Sequence, residues 1–457
     1  MFSRVIHFFY PDIKKDEILK FSLLGLILFL ILGSYWALLI LKEFMIYKVA
    51  FPIQLGWKYG YGREVIPWIK TLSPFVIIVA IAMYTRLIDI FEKHKLFYIF
   101  CFFFASVFSI ITGILIINDI YGPQYIGALP LACTGIVSYL ITECFGSLLT
   151  VLFWSFTISS TKTNEAKRCF PFIITVAQLG PITGSSLLLI PNLPEWPIYI
   201  CCIIAILTIA YVMHILVIKI PAHHLVSDTP EKKHKPDFFA GIRLLMTQPY
   251  LFGVFIVSTF YEIVKTIVDY QMTSQADIIG INFKWFMSLF GISVNTLSFF
   301  IALLSTSYII KKYSLQLCLI IYPITFSIAL TFLYFYYQLN PSPENLLWAT
   351  FFVMIITTAI GYAINKPTKE IMYIPTSKDA QFKVKGITDT IGSRTTKATG
   401  MQIGRYLNVP GQPAASIKNL MSYGTIICFG IISIWLIAAI YVGKKNKQLH
   451  ADGKIIE

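Results

Sequence analysis

The stretch Lys366-Pro367-Thr368-Lys369-Glu370-Ile371-Met372-Tyr373-Ile374-Pro375 is followed by Lys383-Val384-Lys385-Gly386. It comes directly after a long apolar segment. Charge beside hydrocarbon is costly, so charge at the mouth of a membrane span marks a functional position. Two lysine clusters around a Pro-bounded turn suit a polyanionic ligand. A cytoplasmic loop that obeys the positive-inside rule would carry the same residues.

Other ionisable residues stand within or beside apolar runs. Lys42 and Glu43 follow the first run, and Glu143 sits well inside the fourth. Glu262, Lys265 and Asp269 lie in the seventh, at helical spacings that put them on one face. Arg394, Lys397 and Arg405 lie in the eleventh. Each costs about 2.5–3.5 kcal/mol at a helix centre. Together they need partners or a water-filled cavity, which reads as a polar path: basic groups for an anion, acidic groups for ion pairing or coupling. Lysines at the interface could instead snorkel to the headgroups. No G-x-x-x-x-G-K-[ST], H-E-x-x-H or G-x-S-x-G motif occurs, so neither a P-loop nor an enzyme is expected, and no cofactor. The eight cysteines form no C-x-x-C pair. They are expected to be buried free thiols, with no metal and no disulfide framework.

Positioning these residues is the work of long apolar helices. The 457 residues are 56% hydrophobic and only 13% charged, with mean hydropathy +0.71. That excludes a water-soluble protein with a single core. The net charge of +14 falls between apolar runs, which points to topology and anionic lipid rather than nucleic acid. Runs of about 20 apolar residues predict about twelve spans: 21–41, 68–88, 96–118, 127–158, 169–191, 196–220, 247–270, 285–309, 314–337, 345–365, 386–409 and 420–442. The fourth is long enough to tilt or break. The eleventh is rich in Thr, Gly and Lys and should avoid lipid.

Basic residues occupy alternate loops, beginning with Arg4, Lys14, Lys15 and Lys20 and ending with Lys444, Lys445 and Lys447. Both termini are therefore expected in the cytoplasm. Lys48, Lys58 and Arg63 break this pattern. The polar segment 221–246 divides the chain into halves, 1–220 and 247–457. The expected fold is all-α and integral to the membrane, major-facilitator-like, with six helices in each half and substrate bound near the midplane.

Four stretches resemble the ATP:ADP antiporters, or nucleotide transporters, of obligate intracellular bacteria and plastids. Tyr35 to Glu43 (YWALLILKE), with Ile66-Pro67-Trp68-Ile69-Lys70, is similar to that family's Y-T-I-L-R-D-T-K-D and I-P-F-x-K. Glu143-Cys144-Phe145-Gly146, Phe153-Trp154-Ser155-Phe156 and Asn164 to Pro171 resemble E-L-W-G, F-W-G-F and E-A-K-R-F-Y-P. Tyr261 to Tyr270 resembles Y-x-x-x-I-N-L-V-E-V, with Asp269 in place of Glu. Pro367 to Pro375 and Lys383 to Gly386 resemble D-P-T-K-E-M-A-Y-I-P and K-V-K-G-K. The chain departs from the pattern where Leu39-Ile40 replaces Arg-Asp, where Thr273 stands near an expected Lys, and where Lys366 replaces an acid.

The resemblance implies that Lys42, Lys369, Lys385, Asp269 and Glu165 serve nucleotide binding. Glu43, Glu143, Lys265 and Arg394 are the coupling or gating candidates. It implies a secondary transporter that exchanges ATP for ADP or takes up a related nucleotide or NAD by alternating access. The alternatives are a proton-coupled carrier of another anion, with Glu143 or Asp269 protonating, and a non-transporting receptor or scaffold. The expected partners are a nucleotide or other phosphate-bearing anion and the lipid bilayer. The chain is expected to be a monomer in the cytoplasmic membrane of an intracellular bacterium.

Overall fold

The computed structural model of the chain describes residues 14–190, 193–220, 238–301, 315–409 and 411–452. Among these, eleven helices are long and apolar enough to cross a membrane. We label the long helices α1 (Lys15–Phe44), α2 (Tyr61–Ile90), α3 (Lys93–Tyr121), α4 (Ala128–Ser159), α5 (Thr163–Ser186) and α6 (Glu195–Lys219). They continue as α7 (Pro249–Ile279), α8 (Phe283–Ile301), α9 (Leu315–Gln338), α10 (Pro343–Met372), α11 (Ser393–Leu407) and α12 (Thr425–Asp452). The chain is an all-α, multi-pass membrane protein. The polar α11, 15 residues rich in Thr, Gly and basic side chains, is not among the eleven.

One local expectation is corrected, and α4, long enough to tilt or break, runs unbroken over its whole length. Pro367-Thr368-Lys369-Glu370 is helical rather than a turn: a π-helical turn at Gly361–Asn365 precedes the helical segment Lys366–Met372. A proline has no N–H to donate and crowds the carbonyl four residues earlier, and a widened turn relieves both. The chain passes from loop to helix within Tyr59 to Gly62. Gly60 takes φ 71° and Tyr61 opens α2. Gly62, already helical, lies so close to the Ile46 backbone that no side chain fits.

Contacts divide the described residues into two compact units. Those within Met1–Gly62, Phe75–Lys233 and Phe283–Ile292 form the first; those within Arg63–Pro74, His234–Asn282 and Ser293–Glu457 form the second. Both α2 and α8 thus contribute to each unit, which a single cut at 221–246 does not reproduce. Residues 221–237 of that segment lie outside the described residues, and Phe238–Thr247 is a short helix.

Each unit holds a close helix pair built on glycine. In the first, Gly180 and Gly184 of α5 meet Gly33 of α1. A methyl on Gly33 would stand 3.1 Å from the Gly180 carbonyl oxygen, and Gly184 leaves no room against Gly33. In the second, Gly400 and Gly404 of α11 meet α7. A methyl on Gly400 would stand 2.6 Å from the Ile263 carbonyl oxygen, and one on Gly404 would stand 2.6 Å from the Tyr270 ring. Both motifs read G-x-x-x-G, the spacing that lets helix backbones approach where lipid supplies no hydrophobic drive. In a count of six helices, both pairs join the first helix to the fifth, as an internal repeat would.

Candidate functional site

In the first unit the chemistry gathers where α1 ends. Lys42 is 2% exposed and Glu43 is also buried. The Lys42 ammonium pairs with the Glu143 carboxylate of α4. It also stands 4.3 Å from the centroid of the Tyr139 ring, one turn before Glu143. Tyr35 lies across Gly146, where any side chain would collide with its ring. Tyr35, Lys42, Glu143 and Gly146 therefore form one cluster. An ammonium held by a single carboxylate and an aromatic face can take a phosphate oxygen in the carboxylate's place, since both are charge-assisted acceptors.

In the second unit α7 is the spine. The Tyr261 hydroxyl donates to Glu262 at 2.6 Å. Lys397 of α11 lies 3.6 Å from the same carboxylate, and the Ser393 hydroxyl donates to it at 3.5 Å. Lys369 of α10 donates to the Ser258 carbonyl and stands 4.1 Å from the Tyr261 ring centroid. Tyr322 and Trp435 back that ring at 5.7 and 6.2 Å. Lys265 stands 5.2 Å from the Tyr362 ring.

Further along α7 the partners come from the start of α2. Asp269 pairs with Lys70 at 3.6 Å and Asp277 with Arg63 at 3.1 Å. The Tyr270 hydroxyl donates to the Arg63 carbonyl at 3.2 Å. Gln402 of α11 donates to the Thr71 hydroxyl at 2.8 Å, and the Arg405 guanidinium stacks 4.5 Å from the Trp68 ring. These contacts explain why Arg63 breaks the loop-charge pattern: it is a buried helical residue with an acid partner.

The family model described as "TLC ATP/ADP transporter" matches residues 1–446. The chain belongs to the TLC ATP/ADP transporter family. It is 25% identical to ADP,ATP carrier protein 1 of Chlamydia muridarum, over 97% of this chain and 91% of that one. It is 25% identical to the chloroplastic ADP,ATP carrier protein 2 of Arabidopsis thaliana, over 93% of this chain and 74% of that one. ADP,ATP carrier protein 3 of Rickettsia bellii is 22% identical, with 98% of both chains covered. Among solved structures, a bacterial homologue of the iron transporter ferroportin superposes with TM-score 0.63 at 10% identity, covering 95% of this chain and 99% of that one. A D-xylose-proton symporter superposes with TM-score 0.62 at 12% identity, covering 93% and 96%. These likenesses show a major-facilitator fold. Membership of the TLC family makes the chain a transporter rather than an enzyme.

The family's charged positions do not all meet. Glu165 at the start of α5 pairs with Lys20 of α1 at 3.3 Å. Lys20 also donates to the Ser160 carbonyl at 2.6 Å, and Glu17 pairs with Arg168 beside them. Lys20 and Lys42 are about 33 Å apart along one helix at 1.5 Å per residue. Glu165 thus belongs to an ion-pair cluster at the opposite end of α1 from Lys42. Lys385 forms an exposed pair with Glu370. Arg394 is half-buried at the start of α11.

Sequence reasoning did not pick out the ring and ion-pair partners Tyr139, Tyr261, Lys70 and Asp277, and gave Lys397 no role. The first signal was available: Tyr139 is one helical turn from an intramembrane acid. Lys70 stood in the quoted Ile66 to Lys70 motif. Cysteine expectations hold for six of eight; Cys133 and Cys201 are exposed thiols on membrane helices. All eight are free. Among the described residues no group of His, Cys, Asp and Glu is placed to hold a metal.

Proposed function

We propose that this chain exchanges ATP and ADP, or a closely related pair of nucleotides, across a membrane by alternating access. The observation that carries this reading is that the family match spans residues 1–446 and its motif lysines, Lys42 and Lys369, are each held over a tyrosine ring. A polyphosphate needs several fixed cations at close quarters, and stacked lysines offer charge without a flexible search. Lys42 and Lys369 would bind phosphate. Glu143 and Asp269 would hold basic partners between binding events, and Lys265 and Arg394 would set coupling. Glu165 and Lys385 would fix helix ends. A substrate drives exchange only if it binds the transition between outward and inward states more tightly than either alone, so uptake should depend on counter-substrate.

The reading also takes the chain as a monomer in the cytoplasmic membrane of an intracellular bacterium, both termini inside. The test is uptake of labelled ATP into bacterial cells expressing the chain. Unlabelled ADP preloaded inside should stimulate uptake and a protonophore should leave it unchanged. Lys42→Ala and Lys369→Ala should each lower uptake at least about tenfold, the loss of one charge-assisted contact. Uptake untouched by either substitution would refute the site; uptake abolished by the protonophore would refute exchange.

A further inference from the structure

The second unit contains a carboxylate that the exchange reading leaves without a task. Glu262 is 7% exposed. Its oxygens take the Tyr261 hydroxyl, Ser393 and Lys397. Lys369 stands over the ring of the same tyrosine, and Lys265 follows one turn along α7. Lys265 and Lys369 are half-buried and Lys397 is exposed. All three lysines act on this one buried anion. Other acids flank the cluster: Asp269, paired with Lys70, also acts on Lys265, and Asp389 acts on Lys369, while Glu370 faces Lys385.

We propose that Glu262 is a specificity-determining residue that sets how many phosphate charges this lysine cluster accepts. The proposal rests on the exchange reading and deepens it. A fixed carboxylate among three lysines cancels one of their positive charges. Neutralising it would restore that charge, favouring the ligand with the longer phosphate chain. Removing Lys397 would take one positive charge away and favour the shorter chain. Tyr261 holds the carboxylate and one lysine in register, so the charge count is fixed by geometry rather than by mobile side chains. The relevant ligands are ATP and ADP, which share every group except one phosphate.

Glu262→Gln should raise the ratio of ATP to ADP transport efficiency about five- to tenfold, as expected for one charge at several ångströms in a partly screened site. Lys397→Met should lower it by a similar factor. Glu262→Asp keeps the charge and should keep the ratio near that of the parent chain, whatever the absolute rates. The readout is competition between labelled ATP and ADP in proteoliposomes. Glu262→Gln and Lys397→Met that scale both nucleotides equally would overturn the proposal while leaving the exchange reading intact.

If the parent chain transports neither nucleotide, the exchange reading fails and purified protein decides the matter. Inorganic tripolyphosphate should then raise the Glu262→Gln melting temperature more, relative to pyrophosphate, than it raises that of the parent. Equal gains would overturn the proposal. Should Glu262→Gln not fold, Lys397→Met tests the proposal alone: the opposite shift supports it, and an unchanged preference overturns it.

Discussion

At the scale of residues, the cluster at the end of α1 holds an ion pair on an aromatic floor. Lys42 and Glu143 come from different helices, and their side chains are 3% and 19% exposed. Removing one partner of such a pair leaves the other charge buried, which costs far more than removing both. We expect Lys42→Met and Glu143→Gln each to lower stability by about 3–5 kcal/mol at most. The double substitution should lose less than the sum, with a coupling of about 1–3 kcal/mol. Thermal unfolding of the four proteins in detergent measures this, and additive losses would show that the two groups act independently. The pair was half legible in the sequence. Lys42 and Glu143 stood out because ionisable groups in apolar runs are rare. Their pairing did not, because it depends on how α1 and α4 are rotated. For the same reason the sequence could not separate Glu165, charged and motif-borne, from Lys42; its partner is Lys20.

Elements carry the next constraint, and glycine is where it is visible. α1 against α5 and α7 against α11 approach so closely that carbonyl oxygens fill the space a Cβ would need. The second pair lets a polar helix stay out of lipid, since α11 buries Thr396, Ala398, Gly400, Met401 and Gly404 and turns its ionisable groups to Glu262 and the start of α2. Gly184→Leu should therefore abolish the monodisperse peak in size-exclusion chromatography or lower the melting temperature by tens of degrees. Gly113 has open space around its Cβ position, and Gly113→Leu should behave as the parent. Comparable behaviour of the two variants would contradict the close approach. The apolar runs announced most of these helices by length alone. They missed the π-helical turn before Lys369, since a proline after a long apolar run reads as its end. They also missed the division of α2 between units, which depends on Arg63 and Lys70 finding acids on α7.

For the whole molecule, the fold was readable because a bilayer admits so few solutions. A chain this apolar must satisfy its backbone in helices, and alternate basic loops orient them. What hydropathy leaves open is parity. The eleven apolar helices alone would put the termini on opposite sides; α11 as a twelfth crossing puts them on the same side. On grounds of charge we expect α11 to cross. Arg394, Lys397 and Arg405 would each cost about 2.5–3.5 kcal/mol in lipid, yet Lys397 has Glu262 at 3.6 Å, Arg405 has Trp68 at 4.5 Å, and the two glycines seat the helix on α7. The penalty of crossing is thereby offset inside the protein, while a helix lying at the surface would forfeit those partners. In a chain whose native cysteines are replaced by serine, a cysteine at Gly411 should react with an impermeant maleimide added outside intact cells. One at Ser377 should react only after permeabilisation. Labelling of both positions from the same side would mean that α11 does not cross.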